Sequence, residues 1–375
     1  MRRPDLPEVP GVVDAGSLLK TATAVAAVQE PSGAIPWFPG GHVDPWDHVE
    51  CAMSLSVAGL YAEAERAYAW LFGSQRADGS WPMRVRAGRV EDAGADSNFT
   101  AYVAVGVWHH WLLTRSERFV RRAWVRVRRA LDFVTTLQAT RGEFYWAVGA
   151  GGVVDQKALL AGSASIHQSL RCGLALADLV GEPQPEWELA VGGLRHALRH
   201  HREAFEDNDR FSMDWYYPVL GGAVRGDAGR HRIKDRWDTF VVPGRGVRCV
   251  SDRPWVTGAE TCELALSLHA LGELDAAREV FASMQHLRDP DGSYWTGLVL
   301  DDGVRWPTER STWTAAAVVL AADALSSATP AGDLFVATDL PTGLEVEDER
   351  CDCLQEVGST ARCFRVEIAR MPPQA

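Results

Sequence analysis

Apolar residues recur at helical spacing along most of this chain. They fall at positions i, i+3, i+4 and i+7 in successive stretches, which predicts amphipathic helices. The clearest predicted helices are Ala15–Val28, Val49–Leu60, Ala62–Gly73, Ala101–Thr114, Phe119–Leu137, Ser165–Leu179, Glu186–Arg202, Glu260–Leu271, Leu274–Gln285 and Thr312–Ser327. Alternating strand patterns are limited to short pieces near residues 240–242 and 247–250. The pattern therefore predicts an all-α protein built from helix pairs with short connections.

A recurring motif marks the ends of several predicted helices, where a glutamine is followed by glycine and then tryptophan. The three instances are Gln75–Gly79–Trp81, Gln138–Gly142–Trp146 and Gln285–Gly292–Trp295. A unit that recurs in this way stacks on its copies to bury its apolar face. We therefore expect an (α/α)6 toroid of helical hairpins over residues 36–327, with a lead-in at 1–35 and a short irregular tail at 328–375. In such a fold the inner helices line a funnel, so functional groups are expected where inner helices begin.

Composition and charge narrow the functional classes. The chain has 375 residues, a formal net charge of -12 and 46% hydrophobic residues, which describe an ordinary globular protein. The acidic balance argues against a nucleic-acid partner, because nucleic-acid binding requires a basic surface. No apolar run reaches membrane-spanning length, and the N-terminus lacks the pattern of a secretory signal. The sequence thus predicts a cytoplasmic protein with no membrane span.

The seven cysteines do not suggest a disulfide framework. Cys51, Cys172, Cys249 and Cys262 lie in apolar helical contexts, where cysteine is usually a small core residue. Cys351, Cys353 and Cys363 lie in a polar tail without matching histidines, so free thiols are a simpler interpretation than a zinc cluster. The sequence predicts no metal and no cofactor.

The Gln…Gly…Trp motif resembles the repeats of the prenyltransferase and squalene-cyclase toroids. This resemblance implies the toroid fold more strongly than the activity. Class II terpene cyclases protonate an alkene with an Asp-x-Asp-Asp acid, and the chain contains no such run. A prenyl-transferring or terpene-cyclising enzyme acting on an isoprenoid is therefore the second hypothesis for its function.

A larger part of the chain is similar to the six-hairpin glycosidases related to glucoamylase. An entry helix and its following hairpin are similar at residues 44–50, 63–67 and 75–81, and a substrate-facing loop is similar at 91–98. A helix that begins near a glutamate and the last inner helix with its approach are similar at residues 258–272 and 306–317. The resemblance implies a glycoside hydrolase. One position departs from it: glucoamylase-like enzymes place their acid directly after a tryptophan, whereas Trp146 is followed by Ala147. The resemblance therefore does not assign the general acid.

Glycoside hydrolysis requires two carboxyl groups, one to protonate the leaving oxygen and one to direct water or attack carbon. We expect Glu260 and Glu309 to be this pair, because both lie in the similar segments beside predicted helix starts. Each also has a structural interpretation. Thr257 and Glu260 have the spacing of a capping box, and Glu309 suits the first turn of a helix.

Further residues are predicted to bind the substrate. We expect Asp47, Asp96 and Asp214 to accept hydrogen bonds from sugar hydroxyls. Trp215 and Trp255 are expected to stack on sugar faces. Arg253 is expected either to bind a carboxylate or phosphate or to pair with nearby acids.

The leading prediction is thus a carbohydrate-active enzyme, a glycoside hydrolase acting on an oligosaccharide or another small molecule without a cofactor. The isoprenoid enzyme is the alternative, and a non-catalytic toroid scaffold is the third, which the Ala147 departure supports. Two facing carboxylates in the funnel favour hydrolysis. Apolar walls favour the isoprenoid enzyme, and scattered unpaired polar groups favour the scaffold.

Overall fold

The computed structural model describes residues 5–336 and 338–344. Helices dominate this part of the chain. They are α1 (Ala15–Val28), α2 (Pro45–Val57), α3 (Tyr61–Ser74), α4 (Ser97–Ala101), α5 (Val103–Thr114), α6 (Glu117–Thr135), α7 (Leu160–Val180), α8 (Pro185–His200), α9 (Ser212–Leu220), α10 (Gly226–Asp235), α11 (Trp237–Phe240), α12 (Gly258–Ala270), α13 (Leu274–Ser283) and α14 (Thr312–Ser326). Short 3₁₀ helices follow α8 and α13, at Arg202–Ala204 and Gln285–Leu287.

The long helices form two concentric rings. In the inner ring, α2, α5, α7, α9, α12 and α14 each pack on the next, and α14 packs on α2 to close the circle. In the outer ring, α3, α6, α8, α10 and α13 each pack on the inner helix that precedes them, and α1 packs on α14. The predicted all-α (α/α)6 toroid is confirmed.

The two chain ends contact the toroid. Helix α1, in the predicted lead-in, buries Leu18 and Val25 in the common core. Beyond α14, Leu334 and Leu340 are also buried in this core. The boundaries at residues 36 and 327 stay a prediction, and the packing of α1 favours its inclusion in the toroid. The acidic run 345–349 and Cys351, Cys353 and Cys363 lie outside the described residues.

The recurring glutamines connect neighbouring outer helices. The amide Nε2 of Gln75 donates to the carbonyl of Gly79 and to that of Arg126 on α6, each at 2.9 Å. Gln138 donates in the same way to Gly142 and to Ala190 on α8, each at 3.0 Å. Each glutamine therefore makes one hydrogen bond within its own turn and one that connects this turn to the next outer helix.

The repeat continues at Gln29 and stops at Gln285. Gln29 donates to Gly33 and to Glu63 on α3, each at 3.0 Å, and this copy was missed in the sequence. Gln285 instead donates to Phe281 within its own turn and accepts from Tyr294. The glycine lies seven positions after Gln285 rather than four. The motif at Gln285 therefore resembles the other copies in sequence, but its glutamine does not make their hydrogen bonds.

Short strands extend the loops that lead into the inner helices. They are β1 (Arg84–Arg86), β2 (Arg89–Asp92), β3 (Ala95–Asp96), β4 (Ala147–Val148), β5 (Val154–Asp155), β6 (Val241–Val242), β7 (Gly246–Arg248), β8 (Trp255–Thr257) and β9 (Gly297–Val299). They pair antiparallel in the orders β1-β2, β3-β4-β5 and β6-β7-β8-β9. Because β3 and β8 end at the caps of α4 and α12, the sheets fix where those helices begin. No helix in the described ranges is long and apolar enough to cross a membrane.

Candidate active site

A cavity of about 290 Å³ opens where the inner helices begin. Aromatic and aliphatic side chains form most of its wall, and the carboxyl groups of Asp47 and Asp96 also line it. The aromatic lining residues are Trp37, Trp46, Phe99, Phe144, Trp146, Tyr217 and Trp313. A cavity of this size with few polar groups is the form that small-molecule sites usually take.

The starts of the inner helices carry the acidic residues of this region. Asp47, Asp214 and Glu260 are each the third residue of their helix, in α2, α9 and α12. Asp96 caps α4, accepting from the backbone N–H of Phe99 at 3.0 Å. Glu309 precedes α14 in the connecting loop. The free N–H groups of a helix start favour an acid, so the toroid brings acids from distant parts of the chain to one end.

Asp47 is a cavity-lining carboxyl group whose surroundings favour its protonated form. Burial, followed by the nearby carboxylate of Asp44, raises its pKa well above the usual range. Asp44 stays in place because its Oδ1 accepts from the backbone N–H of Asp47 at 2.9 Å. A protonated carboxyl group on the cavity wall can donate a proton to a bound substrate.

Glu260 and Asp214 each have one carboxylate oxygen without a hydrogen-bond partner in the described structure. Burial raises the pKa of Glu260 and raises that of Asp214 to about 6. The other oxygen of Asp214 accepts from the backbone N–H of Ala161, a cavity-lining residue, at 3.2 Å. Buried oxygens without partners are where a ligand hydroxyl or a water molecule gains most.

Two tryptophans of the cavity wall donate to carboxylates. Trp146 Nε1 donates to Asp96 Oδ2 at 2.5 Å, and burial raises the pKa of Asp96 to about 6. Trp37 Nε1 donates to Glu309 Oε1 at 2.6 Å. Both tryptophans stand four residues after a glycine of the glutamine repeat, so this spacing was a sequence signal for two site residues that we did not predict.

Glu260 and Glu309 lie at the same end of the toroid. Thr296 connects their segments: its backbone N–H donates to the Glu309 carbonyl at 3.4 Å, and its carbonyl accepts from the N–H of Gly258 at 3.0 Å. Gly258 begins α12, two residues before Glu260. The structure therefore brings the two predicted glutamates into one region.

The predicted stacking residues occupy different positions. Trp215 is buried in the wall between α9 and α10, where its ring stacks on Phe240 at 5.2 Å and its Nε1 donates to the Arg232 carbonyl. Trp215 therefore packs in the core, and its neighbour Tyr217 lines the cavity instead. Trp255 is half-buried against Trp306, with ring centroids 4.8 Å apart, and Arg253 is exposed.

A second layer of acids lies beneath the cavity. Glu50 accepts from Tyr102, and Glu263 accepts from Tyr216 and, at 2.6 Å, from Tyr217. All of these residues except Tyr216 line a second, smaller space between the inner helices. Tyr217 lines both this space and the cavity, so Glu263 fixes a residue of the cavity wall.

Comparison with known proteins identifies the family. The chain is 60% identical over 356 residues to the MMP endo-(1,4)-3-O-methyl-alpha-D-mannosidase of Mycolicibacterium hassiacum, covering 94% of this chain and 99% of that protein. No protein-family model matches the chain.

Solved structures agree on the fold. A glycosidase in complex with glucose matches with a TM-score of 0.66 at 16% identity, covering 84% of this chain and 98% of that one. The mannosylglycerate hydrolase of Thermus thermophilus, a GH63 protein, matches with a TM-score of 0.63 at 14% identity, covering 80% of this chain and 99% of that one. These matches confirm the toroid fold, and the relative at 60% identity confirms the leading prediction of a carbohydrate-active glycoside hydrolase. This chain belongs to the family of the Mycolicibacterium endo-(1,4)-3-O-methyl-α-D-mannosidase.

Proposed function

We propose that the protein is an endo-α-mannosidase that cleaves α-(1,4) bonds between 3-O-methylmannose units within an oligosaccharide. The observation that carries this proposal is the 60% identity to a relative of that activity over nearly the whole of both chains. The cavity supports it, because the wall is rich in aromatic groups that stack on sugar faces and in aliphatic groups that accept methyl substituents.

Asp47 acts as the general acid and Glu260 as the general base. Asp47 lines the cavity, and burial raises its pKa, so it protonates the glycosidic oxygen as the bond from that oxygen to the anomeric carbon breaks. Glu260, whose Oε2 has no partner in the described structure, takes a proton from the water that attacks the anomeric carbon. Each reaction consumes one water and produces one new reducing end. The surroundings of Asp47 thus suit a general acid, and those of Glu260 suit a general base.

The remaining acids bind the substrate or position other residues of the site. The unpaired oxygen of Asp214 and the carboxylate of Asp96 accept from sugar hydroxyls. Asp47 replaces Glu309 in the pair proposed from sequence, and we assign Glu309 a positioning role because its Oε1 already accepts a hydrogen bond from the Trp37 indole. Trp255, half-buried against Trp306, stacks on an outer sugar unit, and the exposed Arg253 precedes it by two residues in the chain.

The assignment is tested with Asp47→Asn and Glu260→Gln on a 3-O-methylated α-(1,4)-mannan oligosaccharide. Each variant removes one proton-transfer group, so kcat should fall by about 10²–10⁴-fold while the melting temperature stays near that of the wild type. Released reducing ends, separated by mass spectrometry, report both the rate and the internal position of cleavage.

Glu309→Gln is the matched control. Its Gln side chain still has an oxygen that accepts from Trp37, so kcat should fall by less than about tenfold. An equal loss in Glu309→Gln and Glu260→Gln would restore the pair proposed from sequence. If the wild type cleaves neither methylated nor unmethylated mannan oligosaccharides, the mannosidase proposal itself is refuted.

A further inference from the structure

The residues that line the cavity differ in hydrogen-bonding character. On α2 and α14, Trp46 and Trp313 pack edge to face with ring centroids 5.8 Å apart. Both line the cavity, and they are only 6% and 8% exposed. The indole N–H of each is buried and meets no acceptor within the described residues.

These indoles can only donate a hydrogen bond. Other indole N–H groups in the cavity wall do have acceptors. Trp37 and Trp146 each donate to a carboxylate of the protein. Trp46 and Trp313 therefore form a wall, which we call the donor wall, that offers two N–H groups and aromatic surface but no acceptor of its own.

Other residues of the cavity wall offer acceptors. Asp96 and Asn98 line the cavity from the start of α4, and the Asn98 Oδ1 is buried without a partner in the described structure. Tyr217 lies at the base, where its hydroxyl donates to Glu263 at 2.6 Å. Because that proton is committed to Glu263, the Tyr217 oxygen can act toward a ligand only as an acceptor.

The two kinds of oxygen on a partly methylated sugar match these two groups of residues. A methyl ether oxygen accepts hydrogen bonds and cannot donate, and its methyl group needs apolar contact. A free hydroxyl donates and is best met by an acceptor. We infer that the donor wall of Trp46 and Trp313 is the subsite for the 3-O-methyl ether, and that unmethylated hydroxyls face Asp96, Asn98 and Tyr217. This inference rests on the proposed function and adds the residues that select the methylated substrate.

Trp313→Phe and Trp46→Phe test the inference because each keeps an aromatic ring and removes the N–H. The loss leaves the ether oxygen without a donor, whereas a hydroxyl at the same position can turn and donate to another acceptor. Trp124→Phe is the matched control. Its N–H is likewise buried without a partner in the described structure, but the ring packs on Trp187 between outer helices, 5.8 Å between centroids.

Each substitution is introduced into the Glu260→Gln protein, so that titration calorimetry measures binding without turnover. The ligands are α-(1,4)-mannotetraose with and without 3-O-methyl groups. The preference for the methylated ligand should fall about fivefold in at least one of the two cavity variants, the effect of one neutral hydrogen bond, and stay unchanged in Trp124→Phe. An unchanged preference in both cavity variants would overturn the inference. The reducing-end assay on the wild type reports separately on the proposed function.

Discussion

At the scale of single residues, Glu50 shows how burial links a side chain to pH. It lies one helical turn after Asp47 on α2, is 5% exposed and accepts from Tyr102. Burial raises its pKa from 4.5 to about 7. A raised carboxyl pKa means that the folded protein binds the proton more tightly than the unfolded chain. The resulting stabilisation is complete below pH 4.5 and is lost as the pH rises through 7.

Glu50→Gln should therefore remove most of this pH dependence. The neutral amide keeps an acceptor for Tyr102 and cannot ionise. Between pH 4 and pH 8, the wild type should lose on the order of 3 kcal/mol of unfolding free energy relative to the variant. Urea unfolding at both pH values measures it, with the exposed Glu65→Gln on α3 as control. A stability difference between the Glu50→Gln and wild-type proteins that is equal at both pH values would contradict this account.

The positions of the acids at helix starts could be predicted from the sequence, whereas the side chains that surround them could not. Asp47, Asp96 and Glu260 are local features, because a cap or first-turn acid depends on nearby residues. Burial is not local. Whether Trp215 or Tyr217 faces the cavity depends on how α9 rotates against its neighbours, and both residues look alike in the sequence.

At the scale of elements, the glutamine repeat depends on a turn that only glycine allows. Gly142 has φ of +104°, and a Cβ built there would overlap the carbonyl oxygen of Gly193 on α8. Gly152, in the following loop, has φ of +78° and open space around it. The two glycines share a backbone conformation that disfavours side chains, and they differ in what lies beside them.

Gly142→Ala should cost more stability than Gly152→Ala. The strain of a positive φ applies to both and costs about 1–2 kcal/mol. In Gly142→Ala the turn must also move away from α8, which weakens both hydrogen bonds of Gln138, so the total loss should reach about 3 kcal/mol or more. Denaturant unfolding compares the two. Equal losses would show that the contact with α8 does not matter.

The helices themselves show which elements the hydrophobic pattern predicts and which it misses. The predicted Glu260–Leu271 and Phe119–Leu137 correspond closely to α12 and α6, since long periodic helices are strongly encoded. Helices α9 and α10 were missed. Helix α9 has nine residues with Pro218 inside it, and two glycines directly follow it. Its helical state comes from its packing between α7 and α12 rather than from local preference.

At the scale of the whole molecule, ring closure creates the site. The proposed acid lies on the first inner helix and the proposed base on the fifth, and α14 packs against both. The sequence nominated Asp47 and Glu260 separately. It did not pair them, because only the closure of the whole ring places α2 and α12 against their shared neighbour α14, and no local segment encodes that arrangement.

A crystal structure of the Glu260→Gln protein with a 3-O-methylated α-(1,4)-mannan oligosaccharide tests the central claim most directly. The account predicts an intact sugar chain across the cavity, with Asp47 about 2.6–3.2 Å from the scissile oxygen. A water molecule should lie between residue 260 and the anomeric carbon on the opposite face. A sugar chain bound with its scissile bond out of reach of Asp47 would contradict the proposed mechanism.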